Sequence, residues 1–336
     1  MTSAAEHRIQ IAGGDAAFAC AEDDTVLRAA QRAGLAFPYE CNVGSCGNCR
    51  FELLDGELAN AWPEAPALTE KDRQRRRHLG CQSQPRGDCQ IKLRLDARYA
   101  PMHRPRRADA VLVSSRAITH DMSEFRFALD SPQAFEPGQY ALAWLPGVTG
   151  PRAWSMSNTD AQAWEFQVRR VPGGQGTGAL FDRLQDGQRI ELDGPYGMAW
   201  LRRAAPRDIL CLAGGSGLAP MISIARAAMV DPALARRQLH FVYGARTPAD
   251  LCGQDMLSTL PGWGQRLHYH GRVSMPPAGW DGPSGFVHEA ALELFGARLK
   301  TMEVYFAGPP AMATAVQAML LEAQVAPEQM HFDAFY

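Results

Sequence analysis

The chain has 336 residues, of which 46% are hydrophobic and 21% charged, and a net charge of −2. That composition excludes a disordered or fibrous chain, the near-neutral charge argues against nucleic acid as a partner, and the length suits two or three domains of about 100–150 residues. No run of about 18 apolar residues predicts a membrane span, and the start MTSAAEHRIQ lacks an apolar signal core, which points to the cytoplasm.

Residues 1–100 read as a first domain. Extended stretches at 8–11 and 16–19 precede an amphipathic helix over 25–33, where Val26, Leu27, Ala30 and Ala33 recur at helical spacing and Asp23 and Asp24 stand where an N-cap is wanted. Residues 90–95 alternate as a half-buried strand does. Residues 101–107, rich in proline and arginine and without periodicity, read as a linker. Between 108 and 205, strands at 110–114, 124–129, 140–145, 165–170 and 189–192 are separated by Pro/Gly punctuation, as in an antiparallel barrel. Residues 206–336 change rhythm: apolar runs at 209–213, 239–243 and 304–307 alternate with helices at 221–229 and 311–323, the pattern of a parallel sheet covered on both faces.

Eight cysteines need a reason, since a reducing compartment leaves metal ligation, catalysis or burial rather than disulfides. Cys41-Asn-Val-Gly-Ser-Cys46-Gly-Asn-Cys49, with Cys81 after 31 intervening residues, has the spacing of a plant-type [2Fe-2S] site. Four thiolates hold two ferric ions and two sulfides, and the small residues Gly44, Ser45, Gly47 and Asn48 let backbone N–H groups reach the sulfurs. Zinc stays open as a rival, because Cys46–Cys49 is also a zinc-knuckle spacing, although a second CxxC pair is missing. Cys20, Cys89, Cys211 and Cys252 share no ligand spacing and read as packing. With Phe37-Pro-Tyr-Glu-Cys41, Phe51-Glu-Leu-Leu-Asp-Gly-Glu57 and Leu79-Gly-Cys-Gln82, the first domain resembles the plant-type ferredoxin domain fused to monooxygenase and dioxygenase reductases, which implies a β-grasp fold.

Arg152-Ala-Trp-Ser155, followed by Met156-Ser-Asn158, offers a guanidinium for a pyrophosphate and a hydroxyl three residues on. Pro137-Gly-Gln-Tyr140 precedes it, Gly173-Gly-Gln-Gly-Thr177 opens a short helix, and Gly194-Pro-Tyr-Gly197 closes the piece. In this order the motifs resemble the flavin domain of the ferredoxin–NADP reductase superfamily. The resemblance implies FAD held by Arg152, Ala153, Trp154, Val168, Arg169, Val171, Gly176 and Thr177, with Ser155 at the reactive edge; Trp154 stands where the family usually has Tyr.

Ala213-Gly-Gly-Ser-Gly-Leu-Ala-Pro220 follows an apolar strand and opens a helix, so Gly214, Gly215, Ser216 and Gly217 suit a dinucleotide pyrophosphate. Tyr243-Gly-Ala-Arg246 ends the next strand, where the adenosine ribose belongs. Arg246 suits a 2′-phosphate, whereas Asp250 matches relatives that take NADH, and NADH is preferred. Tyr305-Phe-Ala-Gly-Pro-Pro-Ala-Met312 resembles the segment beneath the nicotinamide, implying Gly308 and Pro309, with Ala307 in place of the usual Cys. The terminal Phe332-Asp-Ala-Phe-Tyr336 implies an aromatic that shields the flavin face, Phe335 first and Tyr336 second.

Over essentially its whole length the chain resembles the reductase component of multicomponent oxygenases. Electrons from NADH would pass through FAD and the [2Fe-2S] cluster to a partner, either a Rieske-type ferredoxin or a hydroxylase component. Residues 53–68 are closest to toluene, alkene and phenol-type monooxygenase reductases, while Arg170–Gly174 and Asp333–Tyr336 look more like Rieske dioxygenase reductases; a deoxysugar dehydratase carrier is a third reading. A monomer is expected. The basic stretch Lys71–Arg77 reads as a solvated helix face or a contact for an acidic partner, and His268 and His270 as polar faces of a strand.

Overall fold

Residues 5–333 are described by a computed structural model. At the amino-terminal end, alternation of buried and exposed residues builds β1 (Glu6–Ile11) and β2 (Ala17–Ala21), then α1 (Val26–Arg32). After a long loop come β3 (Arg50–Asp55), β4 (Leu58–Asn60), α2 (Glu70–Gln74), β5 (Arg77–Leu79), β6 (Ser83–Pro85) and β7 (Cys89–Lys92). The five-stranded sheet runs β2-β1-β7-β3-β5, with β1 and β7 parallel, and β4 pairs with β6 apart from it. Val26, Leu27 and Ala30 of α1 pack on Ile9, Phe37, Phe51 and Ile91 to form its core. The N-cap of α1 is Thr25, not Asp23 or Asp24: the Thr25 hydroxyl accepts from Arg28 N at 3.4 Å. Asp24 is engaged elsewhere, accepting from Thr25 N at 2.8 Å and pairing with Arg32 at 2.8 Å.

A six-stranded antiparallel sheet follows: β8 (Arg106–Ala117), β9 (Met122–Leu129), β10 (Tyr140–Trp144), β11 (Arg152–Ser155), β12 (Ala163–Arg169) and β13 (Arg189–Tyr196). Its order is β11-β10-β13-β8-β9-β12, and a bridge between Met156 and Phe166 joins the two edges into a near-closed barrel around Phe127, Trp164 and Phe166. The short helix α3 (Gln175–Gly178) lies between β12 and β13. Strand β8 starts at Arg106, inside the stretch read as a linker, because that stretch is pinned on both sides. Arg106 and Arg107 pair with Gly194 and Asp193 on β13, and the Arg107 side chain meets Asp23 at 3.1 Å and Asp24 at 3.5 Å.

The carboxy-terminal part is a five-stranded parallel sheet of β14 (Asp208–Gly214), β15 (Leu239–Ala245), β16 (Leu267–Val273), β17 (Met302–Ala307) and β18 (Met330–His331), in the order β16-β15-β14-β17-β18. The connections carry α4 (Leu218–Val230), α5 (Gln254–Ser258), α6 (Val287–Phe295) and α7 (Pro310–Glu322). Alternation along β14 divides the core: Ile209, Cys211 and Ala213 pack with α4, while Leu210 and Leu212 pack with α6 and α7. The strand order reverses between β14 and β17, the place where open parallel sheets bind ligands.

His268 and His270 do lie on one strand, and His240 of neighbouring β15 stacks on both, with ring centroids 4.9 Å and 5.8 Å away. Burial first, then the charges of His268, His270 and Arg298, lower His240 to about 4. The unfolded chain therefore takes up this proton first, from about pH 6.5 downward. We expect the His240 contribution to be constant above that pH and, with solvent screening of this partly exposed ring, to cost on the order of 1 kcal/mol as pH falls to 4. Thermal unfolding of His240→Phe against the parent should show a shallower loss between pH 6.5 and 4; parallel curves would refute the assignment.

Candidate functional site

The cysteine loop is held by the sheet beneath it and by the barrel beside it. Gly80 N donates to Cys49 O at 2.9 Å, and Tyr140 of β10 donates through its hydroxyl to Glu40 O at 2.6 Å, one residue before Cys41. Gly44 takes φ +89°, and a Cβ there would lie 3.0 Å from the Trp62 ring, so the loop needs glycine for both backbone and space. The structure brings all four predicted cysteines together as two pairs. Cys41 is paired with Cys46, and the Cys49 and Cys81 sulfurs are 3.4 Å apart. Hydrogen bonding from the Cys46 thiol, followed by backbone N–H groups of Val43, Cys46 and Ser45, brings Cys41 down to about 5 against the effect of burial. Cys81 is likewise lowered by Cys49, whereas Cys46 and Cys49 are pushed up as the donors of their pairs.

The geometry separates the two metals left open by the spacing. A single tetrahedral zinc would bring its sulfurs to about 3.8 Å of one another. Among the described residues, the one group of three or more metal-ligating atoms mutually within 4.8 Å is His120, Asp121 and Asp250, and no three cysteines form such a group. Two pairs fit two irons. Asn42 adds to the fit, since its buried Nδ2 has no hydrogen-bond partner and a cluster sulfide accepts hydrogen bonds.

On the barrel, Arg152 and Gly176 touch: a Cβ at Gly176 would lie 2.9 Å from the Arg152 side chain. Arg152 also donates to the carbonyls of Thr149, Gly150 and Pro151 at 3.1–3.2 Å. Thr177 and Val171 are joined as well, the Thr177 hydroxyl accepting from Val171 N at 3.1 Å. Trp154 lies 6.1 Å from Phe166, and half-buried Ser155 pairs with Tyr140 across the sheet. Two predicted residues sit differently. The Val168 side chain is in the barrel core, which leaves its backbone for a ligand. Arg169 turns away from Arg152 to pair with Asp121 at 2.6 Å and Asp250 at 3.4 Å. That guanidinium already balances the two carboxylates beside His120.

A cavity of about 810 Å³ joins the two sites: Cys81 and Gln82 line one wall, and Arg152, Ala153, Trp154 and Trp144 the other. A second cavity, about 550 Å³, opens at the strand-order reversal, where Gly214, Gly215, Tyr243, Arg246, Pro309 and Met312 line it. Exposed Ser216 and buried Gly217 form the turn into α4, with Gly308 close by: a Cβ on Gly217 would lie 2.7 Å from Gly308 N. Asp333 is tied to the end of the barrel instead, accepting from Met198 N at 2.9 Å beside Gly197; burial pushes it up to about 7. Phe335 and Tyr336 lie outside the described residues.

Comparison with known proteins gives the three parts their families. Residues 9–86 match the 2Fe-2S iron-sulfur cluster binding domain, 109–200 the oxidoreductase FAD-binding domain and 211–318 the oxidoreductase NAD-binding domain. The ferredoxin–NAD(+) reductase component of an alkene monooxygenase system from Xanthobacter autotrophicus is 39% identical, covering 95% of this chain and 97% of that one. Ferredoxin–NAD(P)(+) reductase CarAd from Metapseudomonas resinovorans is 37% identical, covering 96% and 98%. The chain belongs to the ferredoxin–NAD(P)+ reductase components of oxygenase systems.

The solved ferredoxin reductase of carbazole 1,9a-dioxygenase superposes on this reductase with a TM-score of 0.91 at 34% identity over 99% of both chains. The reductase therefore carries FAD, NADH and a [2Fe-2S] cluster as its redox groups. Among the described residues no helix is long and apolar enough to cross a membrane. Sequence reading passed over Arg28 beside the cluster and Trp144 beside the flavin strand, because each gains its place from a distant segment, while Asn42 and Gln82 lay within quoted motifs without being assigned a role. Tyr243 and Met312 lay within quoted motifs but carried no signal of cavity lining.

Proposed function

We propose that this reductase serves a multicomponent aromatic or alkene monooxygenase, passing electrons from NADH to a Rieske-type ferredoxin or a hydroxylase component. The observation that carries the reading is the cavity lined by both Cys81 and Arg152–Trp154, which leaves one space between the cluster site and the flavin strand. In this reading 1–100, 108–205 and 206–336 act as three domains, the first joined to the second through 101–107, in a monomer. Cys41, Cys46, Cys49 and Cys81 hold the cluster. Arg152, with Gly176, Thr177 and the backbone of Val168 and Val171, orients the FAD diphosphate; Ala153, Trp154 and Ser155 lie along the ring; Arg169 closes the cleft from the barrel side. Gly214, Gly215, Ser216 and Gly217 receive the nicotinamide dinucleotide, Gly308 and Pro309 support its reactive end, and Phe335, then Tyr336, covers the flavin until it arrives. Bound FAD takes two electrons with a hydride and releases them one at a time.

NADH is preferred over NADPH because Asp121 and Asp250 hold Arg169 in ion pairs at the nicotinamide cavity, which leaves Arg246, among the described residues, as the one remaining guanidinium there for a 2′-phosphate. An anaerobic ultraviolet–visible titration tests both points: NADH should bleach flavin and cluster bands at a lower concentration than NADPH does. Bleaching of neither band would refute the reading, and equal potency would refute the preference.

A second reading, service to a Rieske dioxygenase, is favoured by the superposition on the carbazole 1,9a-dioxygenase reductase. Turnover with purified acceptors separates the two: a diiron hydroxylase supports the first and a dioxygenase ferredoxin the second.

A further inference from the structure

We propose that Arg28 is a positioning residue of the electron path, a buried cation that sets the one-electron balance between FAD and the cluster. The inference rests on the reading above, in which the four cysteines hold the cluster beside the flavin. Arg28 is on α1, only 5% exposed, at the boundary between the ferredoxin sheet and the barrel. Its Nε donates to Asn42 Oδ1 at 3.4 Å, next to Cys41, and its guanidinium lies 5.3 Å from the Trp144 ring of β10. It lines the same cavity as Cys81 and Arg152.

The charges around Arg28 are paired without it. Arg32, one turn further along α1, meets Asp24 at 2.8 Å and Asp193 at 2.6 Å. Arg107 meets Asp23, Asp24 and Glu191. Among the described residues no carboxylate lies within ion-pair distance of Arg28. A buried cation without an anion is strongly unfavourable, so a counter-ion belongs there. A [2Fe-2S] cluster with four thiolates is dianionic when oxidised and gains a further negative charge on reduction.

A cation near the cluster favours the reduced form over the oxidised one, because the reduced form carries the extra charge. Arg28 therefore draws the electron from FAD toward the cluster. Trp144 packs against the guanidinium from the barrel side. Asn42, at φ +55° and tied to Arg28 through Oδ1, keeps its unpartnered Nδ2 for the cluster.

The test is a redox titration of the full-length, cofactor-loaded protein, followed by electron paramagnetic resonance for the cluster and by absorbance for FAD. Arg28→Gln should shift the FAD-to-cluster equilibrium about tenfold toward FAD, which is a fall of about 59 mV in cluster potential for one electron. Arg28→Lys, which keeps the charge, should recover most of that shift. An unchanged potential in Arg28→Gln, or equal shifts in the Gln and Lys variants, overturns the proposal. Where Arg28→Gln loses iron, retention of iron and potential by Arg28→Lys supports it, and loss in both overturns it. Absence of any cluster signal in the parent protein would instead refute the underlying functional reading.

Discussion

Cys46→Ser abolishes cluster-dependent electron output and leaves flavin reduction intact: this is the expected result with the largest effect. Cys46 is the one cysteine of the four that is only partly buried, so its replacement disturbs packing least. It is also one half of the Cys41–Cys46 pair, and its loss leaves one iron short of a thiolate. Changes merely around metal ligands cost 10–100-fold in affinity or activity, so loss of a ligand should reduce NADH–cytochrome c activity by more than about a hundredfold. Ferricyanide takes electrons directly from the flavin and should respond as the parent does. Measuring both activities on the same preparation distinguishes a broken relay from an unfolded protein. Retention of cytochrome c reduction at the parental rate would show that electrons leave from FAD and that the order of carriers is wrong.

Gly217→Ala is expected to remove NADH oxidation by a different route. A Cβ at Gly217 would lie 2.0 Å from Ala307 O and 2.3 Å from its carbonyl carbon. Both atoms are backbone at the end of β17, so no rotamer change relieves the overlap. Strand β17 or the 215–217 turn must move, and these two segments face each other where the strand order reverses. Overpacking of this kind costs about 3 kcal/mol, which corresponds to a fall in Tm of roughly 10 °C for a domain of this size. NADH-dependent ferricyanide reduction should be lost with the binding cleft. The iron content should persist, because the cysteine loop belongs to another sheet. A parental Tm with unchanged KM for NADH would refute the close approach.

What was legible in the sequence was local. Cys41, Cys46 and Cys49 lie on one loop, so their spacing in the chain is nearly their spacing in space, and Cys81 follows with Leu79 and Gly80 beneath that loop. The glycines at 214–217 stand between an apolar strand and a helix, and both flanking elements could be recognised from side-chain period alone. Boundaries were less secure. The strand from Arg106 was hidden in a stretch that looked like a linker, and α6 and β3 carried no early signal. Arg169 shows the limit most clearly: the family resemblance implied the FAD site for it, while its side chain pairs with Asp121 and with Asp250, 81 residues away.

The sequence by itself pointed to the flavin and nicotinamide modules and narrowed the cysteine site to a [2Fe-2S] cluster or zinc, because ligand type, loop glycines and strand-to-helix junctions are local properties of a covalent chain. It also determined the order of the modules. Only the tertiary structure decided that the cysteines form two pairs, that a cavity lies between Cys81 and Arg152, and that buried Arg28 has no carboxylate within ion-pair distance among the described residues. Those facts depend on contacts among α1, β10 and the cysteine loop, whose partners are set by packing and by charge satisfaction across more than 100 residues of chain. Electron transfer depends on that arrangement, since charge and distance between groups act through space and not along the chain.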